Sequence, residues 1–358
     1  MSKRIGVLTS GGDCPGLNAV LRGVVRAATN RAWEVVGFHD GFEGLLPPAN
    51  YEILDLRRTA GIMQLGGTIL GTTNKGHFIA KVGRGKKAEI RPDVLEKTRG
   101  TLRQLGISAL ICIGGDGSLT TALQLHEAGI PVIGVPKTID NDLEATATTF
   151  GFDSAVACVA DALDRLHTTA SSHKRAMVIE VMGRHAGWIA LYGGLAGGAD
   201  IILIPEIPFS HERIADAVRR RETEGCLSTL IVVAEGAHAR EGGEHYRQTR
   251  AGEYKLGGIG ERVAEDLFRR TGKETRTCVL GHLQRGGAPT TLDRILGTRF
   301  GVHAVELVAE GRFGDMVSYL NYQVLAVPIA DAVHRIKLVP ADAQMVQTCR
   351  AVGITFGD

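Results

Sequence analysis

The chain of 358 residues carries almost no net charge, formally +2 at pH 7. Nothing in that balance favours nucleic acid or an anionic membrane as a partner. No apolar stretch approaches the roughly 18 residues of a membrane span. The start, "MSKRIGVLTSGGD", runs straight into a strand-like segment and lacks a signal-peptide core. Six cysteines, at 14, 112, 158, 226, 278 and 349, form no C-x-x-C pair. Free thiols in a reducing, cytoplasmic setting are therefore expected, with Cys112, Cys158 and Cys278 inside apolar patterns. There is no Pro/Ser-rich linker and no G-x-x-x-x-G-K-[ST] phosphate loop. The first strand is not followed by G-x-G-x-x-G, which disfavours a dinucleotide dehydrogenase.

What is present is material for a large core: 44% of residues are hydrophobic and 22% charged. The length suffices for two or three compact units. Short apolar runs at 4–9, 34–38, 109–113, 131–135, 176–181, 200–204, 228–234 and 277–280 read as strands. Between them lie helix patterns. In 17–28, apolar residues from Leu17 to Ala28 recur at three and four positions. The same holds in 151–168, from Ala155 to Leu166. Gly106 and Gly129 stand where helices should stop. Strands apolar on both faces and alternating with helices imply an α/β fold with mostly parallel sheets. The tail from about 331 reads as irregular and is expected to pack on the second domain.

The chemistry gathers at the ends of the strand-like runs, where α/β sheets bind ligands. These ends read "TSGGDCPGLN" (9–18), "GGDGS" (114–118), "PKTIDND" (136–142), "EVMGRHAG" (180–187), "AEGAH" (234–238) and "LGHLQRGG" (280–287). Glycine-rich turns that open helices present backbone N–H groups to phosphate oxygens. Any one such turn is explained as well by turn geometry; six together are not. Asp116 amid glycines suits Mg²⁺ bridging phosphates. Asp140, after Thr138, suits a base that takes a hydroxyl proton. Arg175, Arg184, Arg276, Arg285 and His282 supply cations and donors for a phosphorylated substrate.

These motifs, with "SSHKR" and "LDR", resemble the 6-phosphofructokinases of the bacterial type, in the family's order and near its spacing, from Gly6 to about Arg299. The resemblance implies two similar α/β domains with the active site in the cleft between them, in a homodimer or homotetramer with shared sites. It implies a nucleotide and Mg²⁺ domain of 1–150 plus about 284–330. A sugar-phosphate domain would take 151–283 plus about 331–358. The reaction would be ATP-dependent phosphorylation of fructose 6-phosphate at its 1-hydroxyl. Asp140 would be the base, with Thr138 beside it, and Arg184 would steady the transferring group. Met182, Gly183, Glu235, His282 and Arg285 would hold the sugar phosphate. Arg175 and Arg276 would reach the phosphate of an adjacent subunit's substrate. Gly12, Gly115, Gly117 and Ser118 would cradle the donor phosphates, and Asp116 the metal. Where allosteric members of the family place an arginine on those phosphates this chain departs from the pattern: Asn74 and Lys75 occupy the region, and Lys75 would serve there as a point charge.

Two positions bear on the donor. Gly117 matches nucleotide users of the family, whereas Lys137 matches pyrophosphate users; the combination resembles a third, mixed subgroup. A glycine at 117 leaves room for a nucleoside, and a lysine creates none, so ATP is expected. Pyrophosphate or ADP as donor, and sedoheptulose 7-phosphate as acceptor, are the alternatives. A non-catalytic sugar-phosphate sensor should have lost Asp116 or Asp140, and both remain.

Overall fold

A computed structural model describes residues 3–73, 75–78, 81–82, 86–87, 89–240, 246–248 and 254–358. The strands are β1 (Arg4–Thr9), β2 (Glu34–Phe38), β3 (Tyr51–Leu54), β4 (Lys81–Val82), β5 (Lys86–Lys87), β6 (Ile107–Gly114), β7 (Val132–Pro136) and β8 (Ala176–Val181). They continue with β9 (Ile201–Leu203), β10 (Thr229–Ala234), β11 (Tyr246–Gln248), β12 (Tyr254–Leu256), β13 (Thr275–Val279), β14 (Asp315–Leu320) and β15 (Gln323–Pro328). The helices are α1 (Leu17–Thr29), α2 (Pro92–Gln104), α3 (Asp116–Glu127), α4 (Phe152–His173) and α5 (Trp188–Ala196). After them come α6 (His211–Thr223), α7 (Ile259–Thr271), α8 (Thr291–Glu310), α9 (Ile329–Val333) and α10 (Gln344–Ala351).

The chain divides into two compact units. Unit 1 comprises Met1–Ile139, Leu143–Ser154 and Arg285–Arg335; unit 2 comprises Asp140–Asp142, Ala155–Gln284 and Ile336–Asp358. Unit 1 is built on a seven-stranded sheet ordered β15-β14-β7-β6-β1-β2-β3. Its five inner strands run parallel, and β15 and β3 close the edges antiparallel. On β6, Leu110 and Cys112 enter a core with Leu119 and Leu125 of α3 and Val94 and Leu102 of α2. Ile111 and Ile113, which alternate to the other face, are also fully buried. That is why the run "ALICI" is apolar throughout rather than alternating. Helices α1 and α8 pack at short range because glycines meet there. A Cβ on Gly23 would lie 2.7 Å from the Thr298 carbonyl oxygen.

Unit 2 holds a four-stranded sheet ordered β13-β8-β10-β9, parallel throughout. Ile201 and Ile231 of this sheet bury against Ile214 and Val218 of α6 and Val263 and Leu267 of α7. The α/β class and mostly parallel sheets expected from the sequence are observed. Several details differ. Cys158 and Cys278 are only partly buried, although all six thiols are free as expected. The tail is not wholly irregular, since it contains α10. The β14–β15 hairpin escaped notice because its two-residue turn, Asn321–Tyr322, takes φ of 48° and 64° without a glycine. No helix among the described residues is long and apolar enough to cross a membrane.

Candidate active site

In unit 1, β1 delivers the first glycine turn. Gly11 takes φ of +84°, a conformation open chiefly to glycine. Its N–H donates to the Thr73 carbonyl at 3.1 Å, and the Thr72 hydroxyl donates to its carbonyl at 2.6 Å. Gly12 permits a cation to lie against the backbone: a Cβ there would sit 2.8 Å from Arg285 Nη1. Arg285 donates to the Asp13 carbonyl at 3.1 Å, and the buried Lys137 ammonium donates to the Gly12 carbonyl. Two cations thus hold successive carbonyls of one turn. Arg285, assigned to the sugar by sequence, is in contact with this turn of unit 1. Cys14 is buried beside it, and burial pushes its thiol up to about 12, so it is a packing group rather than a nucleophile.

The second glycine turn opens α3. Gly115 is the N-cap and makes no side-chain cap bond, and Asp116, Gly117 and Ser118 form the first turn. Helix N-termini leave backbone N–H groups without intrahelical partners, which suits anions. A Cβ at Gly117 would meet nothing within 4 Å. Among the described residues no three His, Cys, Asp or Glu cluster in a way that could hold a metal. A Mg²⁺ here would take the carboxylate of Asp116 and complete its shell with phosphate and water oxygens, as Mg²⁺ commonly does. Lys75 is exposed nearby in sequence to Thr73; Asn74 lies outside the described residues.

The third turn follows β7. The Lys137 N–H donates to Gly114 O at 2.9 Å, which ties this strand end to the second glycine turn. Thr149 holds the Thr138 carbonyl at 2.7 Å. Asp140, Asn141 and Asp142 belong to unit 2, and Asn141 takes a left-handed φ of 51°.

In unit 2, β8 ends in Met182, Gly183 and Arg184. Gly183 takes φ of +136°, and a Cβ on it would lie 2.9 Å from the Ala186 carbonyl oxygen. The Glu235 N–H donates to Val181 O at 2.9 Å and Gly236 N–H to Gly183 O at 3.1 Å, so the turn after β10 lies against the turn after β8. Gln284 is buried; it accepts from the Met182 N–H at 3.3 Å and donates to Gly281 O at 3.1 Å. This brings "GHLQ", with the exposed His282, to the same end of the sheet. Met182, Gly183, Arg184, Glu235 and His282 are thus gathered. Arg175 and Arg276 are not among them. They converge on Glu274, at 2.8 and 2.6 Å, near the opposite ends of β8 and β13. A strand of that length spans about 17 Å, too far for one ligand to touch both groups in one chain. Sequence reasoning placed all these arginines beside glycine turns; the strand direction separates them.

It also missed Glu180, whose buried carboxylate accepts the Gly258 and Gly260 N–H groups at the start of α7. Lys337 was missed as well. It donates from Nζ to Asn141 Oδ1 at 3.0 Å and from its N–H to Asp142 O at 2.9 Å. No local motif announces a contact across nearly two hundred residues.

Comparison with known proteins settles the family: the phosphofructokinase profile matches residues 4–308. The chain belongs to the phosphofructokinase family. The ATP-dependent 6-phosphofructokinase of Chloroflexus aggregans is 53% identical over 99% of this chain and 98% of its own. The pyrophosphate–fructose 6-phosphate 1-phosphotransferase of Amycolatopsis methanolica is 50% identical over 95% of this chain and 97% of its own. Phosphofructokinase of Pichia pastoris in the T state superposes with a TM-score of 0.81 at 31% identity. That match covers 99% of this chain but 37% of the longer yeast chain. The phosphofructokinase fold is therefore observed both in the sheets and by superposition.

Proposed function

We propose that the chain transfers the γ-phosphoryl group of ATP to the 1-hydroxyl of fructose 6-phosphate, with ADP as the leaving group, giving fructose 1,6-bisphosphate, a glycolytic step. The observation that carries this is near-full-length identity of 53% to an ATP-dependent 6-phosphofructokinase. The open space at Gly117 supports a donor with a nucleoside attached. Unit 1 serves the nucleotide and metal, with Gly12, Gly115, Asp116, Gly117, Ser118 and Lys75 at the phosphates. Unit 2 serves the sugar phosphate through Met182, Gly183, Glu235 and His282. In a homo-oligomer, Arg175 and Arg276 at the far strand ends would serve a neighbouring subunit's substrate. The free thiols suit the cytoplasm.

Mechanistically, Asp140 accepts the 1-hydroxyl proton as the oxygen attacks phosphorus, and Thr138 helps orient the hydroxyl. Arg184 faces the charge that develops on the equatorial phosphoryl oxygens, where a fixed cation lowers the barrier most. Mg²⁺, when bound at Asp116, supplies charge neutralisation at the donor phosphates.

A second reading, a pyrophosphate donor, is favoured by the Amycolatopsis relative. The test is a coupled assay with ATP, ADP and pyrophosphate, each against fructose 6-phosphate and sedoheptulose 7-phosphate. Highest kcat/KM with ATP and fructose 6-phosphate is expected. A higher value with pyrophosphate would replace the ATP reading with the second.

A further inference from the structure

The C-terminal segment 337–339 touches two turns of unit 2 that carry proposed reaction groups. At one end, Lys337 grips the turn after Asp140 twice: its ammonium reaches Asn141 Oδ1 at 3.0 Å, and its N–H reaches Asp142 O at 2.9 Å. At the other, its carbonyl accepts the Trp188 Nε1–H at 2.9 Å. The ammonium also lies 5.8 Å from the Trp188 ring centroid. Two residues on, the Val339 N–H donates to Glu206 Oε1 at 2.9 Å. The same carboxylate accepts the Gly187 N–H at 3.0 and 3.1 Å. Gly187 and Trp188 end the sequence "MGRHAGW", whose arginine is Arg184. Gly187 is needed there, because a Cβ would lie 2.9 Å from Glu206 Oε2 and closer still to Ile204.

A carboxylate that must meet one hydroxyl works only if its backbone is fixed to within a fraction of an ångström. The Asp140 turn contains a left-handed Asn141 and no regular structure of its own. Its fixing must come from outside. The segment 337–339 supplies part of it, and through Trp188 and Glu206 is itself fastened to the turn that carries Arg184.

We infer that Lys337–Val339 is a positioning strap for phosphoryl transfer, holding the Asp140 turn and the Arg184 turn in register, with Lys337 the residue that acts on the base. The inference rests on Asp140 being the base. Lys337 touches Asn141 and Asp142 and acts through them.

The experiment compares Lys337→Met, Lys337→Arg, Asp140→Ser and the double variant Lys337→Met/Asp140→Ser, in the full chain with Mg²⁺ and ATP. Lys337→Met should lower kcat by about ten- to a hundredfold, the scale for misplacing a reacting group. KM for ATP and for fructose 6-phosphate should stay within about twofold. Lys337→Arg, which keeps donors for Asn141, should recover most of the loss. In the Asp140→Ser background the Lys337→Met change should add less than about twofold, because a residue that acts by placing the base has nothing left to place. Multiplicative losses, or a change confined to KM, would overturn the strap. If Asp140→Ser itself leaves kcat intact, the base assignment falls, and the inference with it. Should Lys337→Met fail to fold, Trp188→Phe carries the same test, since it deletes the indole N–H that donates to the Lys337 carbonyl while keeping an aromatic ring at the site.

Discussion

The side-chain ammonium of Lys137 donates to the carbonyl oxygen of Gly12, and Arg285 to that of the next residue, Asp13. The lysine that marks pyrophosphate users by resemblance is here engaged with the first glycine turn. Its presence is therefore compatible with either donor, and its removal should loosen the turn. Lys137→Met keeps the stem and deletes the ammonium. A charge-assisted hydrogen bond is worth about 1.5–3 kcal/mol, so kcat/KM for ATP should fall by about 10- to 160-fold. Steady-state kinetics on the purified variant checks this. Unchanged ATP kinetics would show that the turn does not depend on the lysine.

Asp140→Ser removes the proposed base. Loss of general-base catalysis costs roughly 10²- to 10⁴-fold in kcat. The apparent affinity for fructose 6-phosphate should change far less, because the proton moves only in the transition state. Turnover near the wild-type rate at neutral pH would take Asp140 out of the mechanism.

A pH prediction comes from Asp293, at the start of α8. It is 1% exposed, and its Oδ2 accepts from Ser154 N at 2.8 Å and Ser154 Oγ at 2.6 Å. Burial pushes its carboxyl from 3.8 up to about 6, although Ser154 holds it back. The folded state thus keeps this proton more tightly than the unfolded chain. The stability it contributes is full below about pH 4 and is lost as pH rises through about 6. Two pK units correspond to at most about 3 kcal/mol. Asp293→Asn retains an acceptor for Ser154 and does not titrate. Denaturant midpoints measured from pH 4 to 8 should show wild type losing ground to the variant up to about pH 7, then a constant difference. Parallel pH profiles would mean that Asp293 ionises as it does in water.

Much of this was legible in the residues. β1 and β8 could be read residue by residue because their apolar runs end at glycine turns, and Gly106 and Gly129 take left-handed φ where helices stop. The glycine turns were legible for the same reason, since a glycine-rich end of a buried strand is a local pattern. Two kinds of fact were not local. Arg175 and Arg276 sit within a few residues of the motifs, yet strand direction carries them to the other end of the sheet. Lys337 and Glu206 act across long separations, where no periodicity or spacing gives a signal.

Gly117 bears on the choice of donor. It is the second residue of α3, and a side chain there would meet no protein atom within 4 Å. An aspartate at that position also suits the positive end of a helix. Gly117→Asp should therefore fold, and any loss of activity belongs to the ligand site rather than to packing. The new carboxylate adjoins Asp116, where the donor phosphates are proposed to lie. Two like charges about 4 Å apart repel by roughly 4 kcal/mol at an effective dielectric near 20, which alone is several hundredfold. Steric exclusion adds to that, so ATP-dependent kcat/KM should nearly vanish. Lys137 is already in place, and the variant would then carry both features of pyrophosphate users; its pyrophosphate activity should nonetheless be feeble, because the rest of the donor site is shaped for a nucleotide. The measurement is kcat/KM for ATP and for pyrophosphate in both proteins, with thermal midpoints to verify folding. Efficient pyrophosphate use by the wild type, or undiminished ATP use by Gly117→Asp, would show that Gly117 does not select the donor.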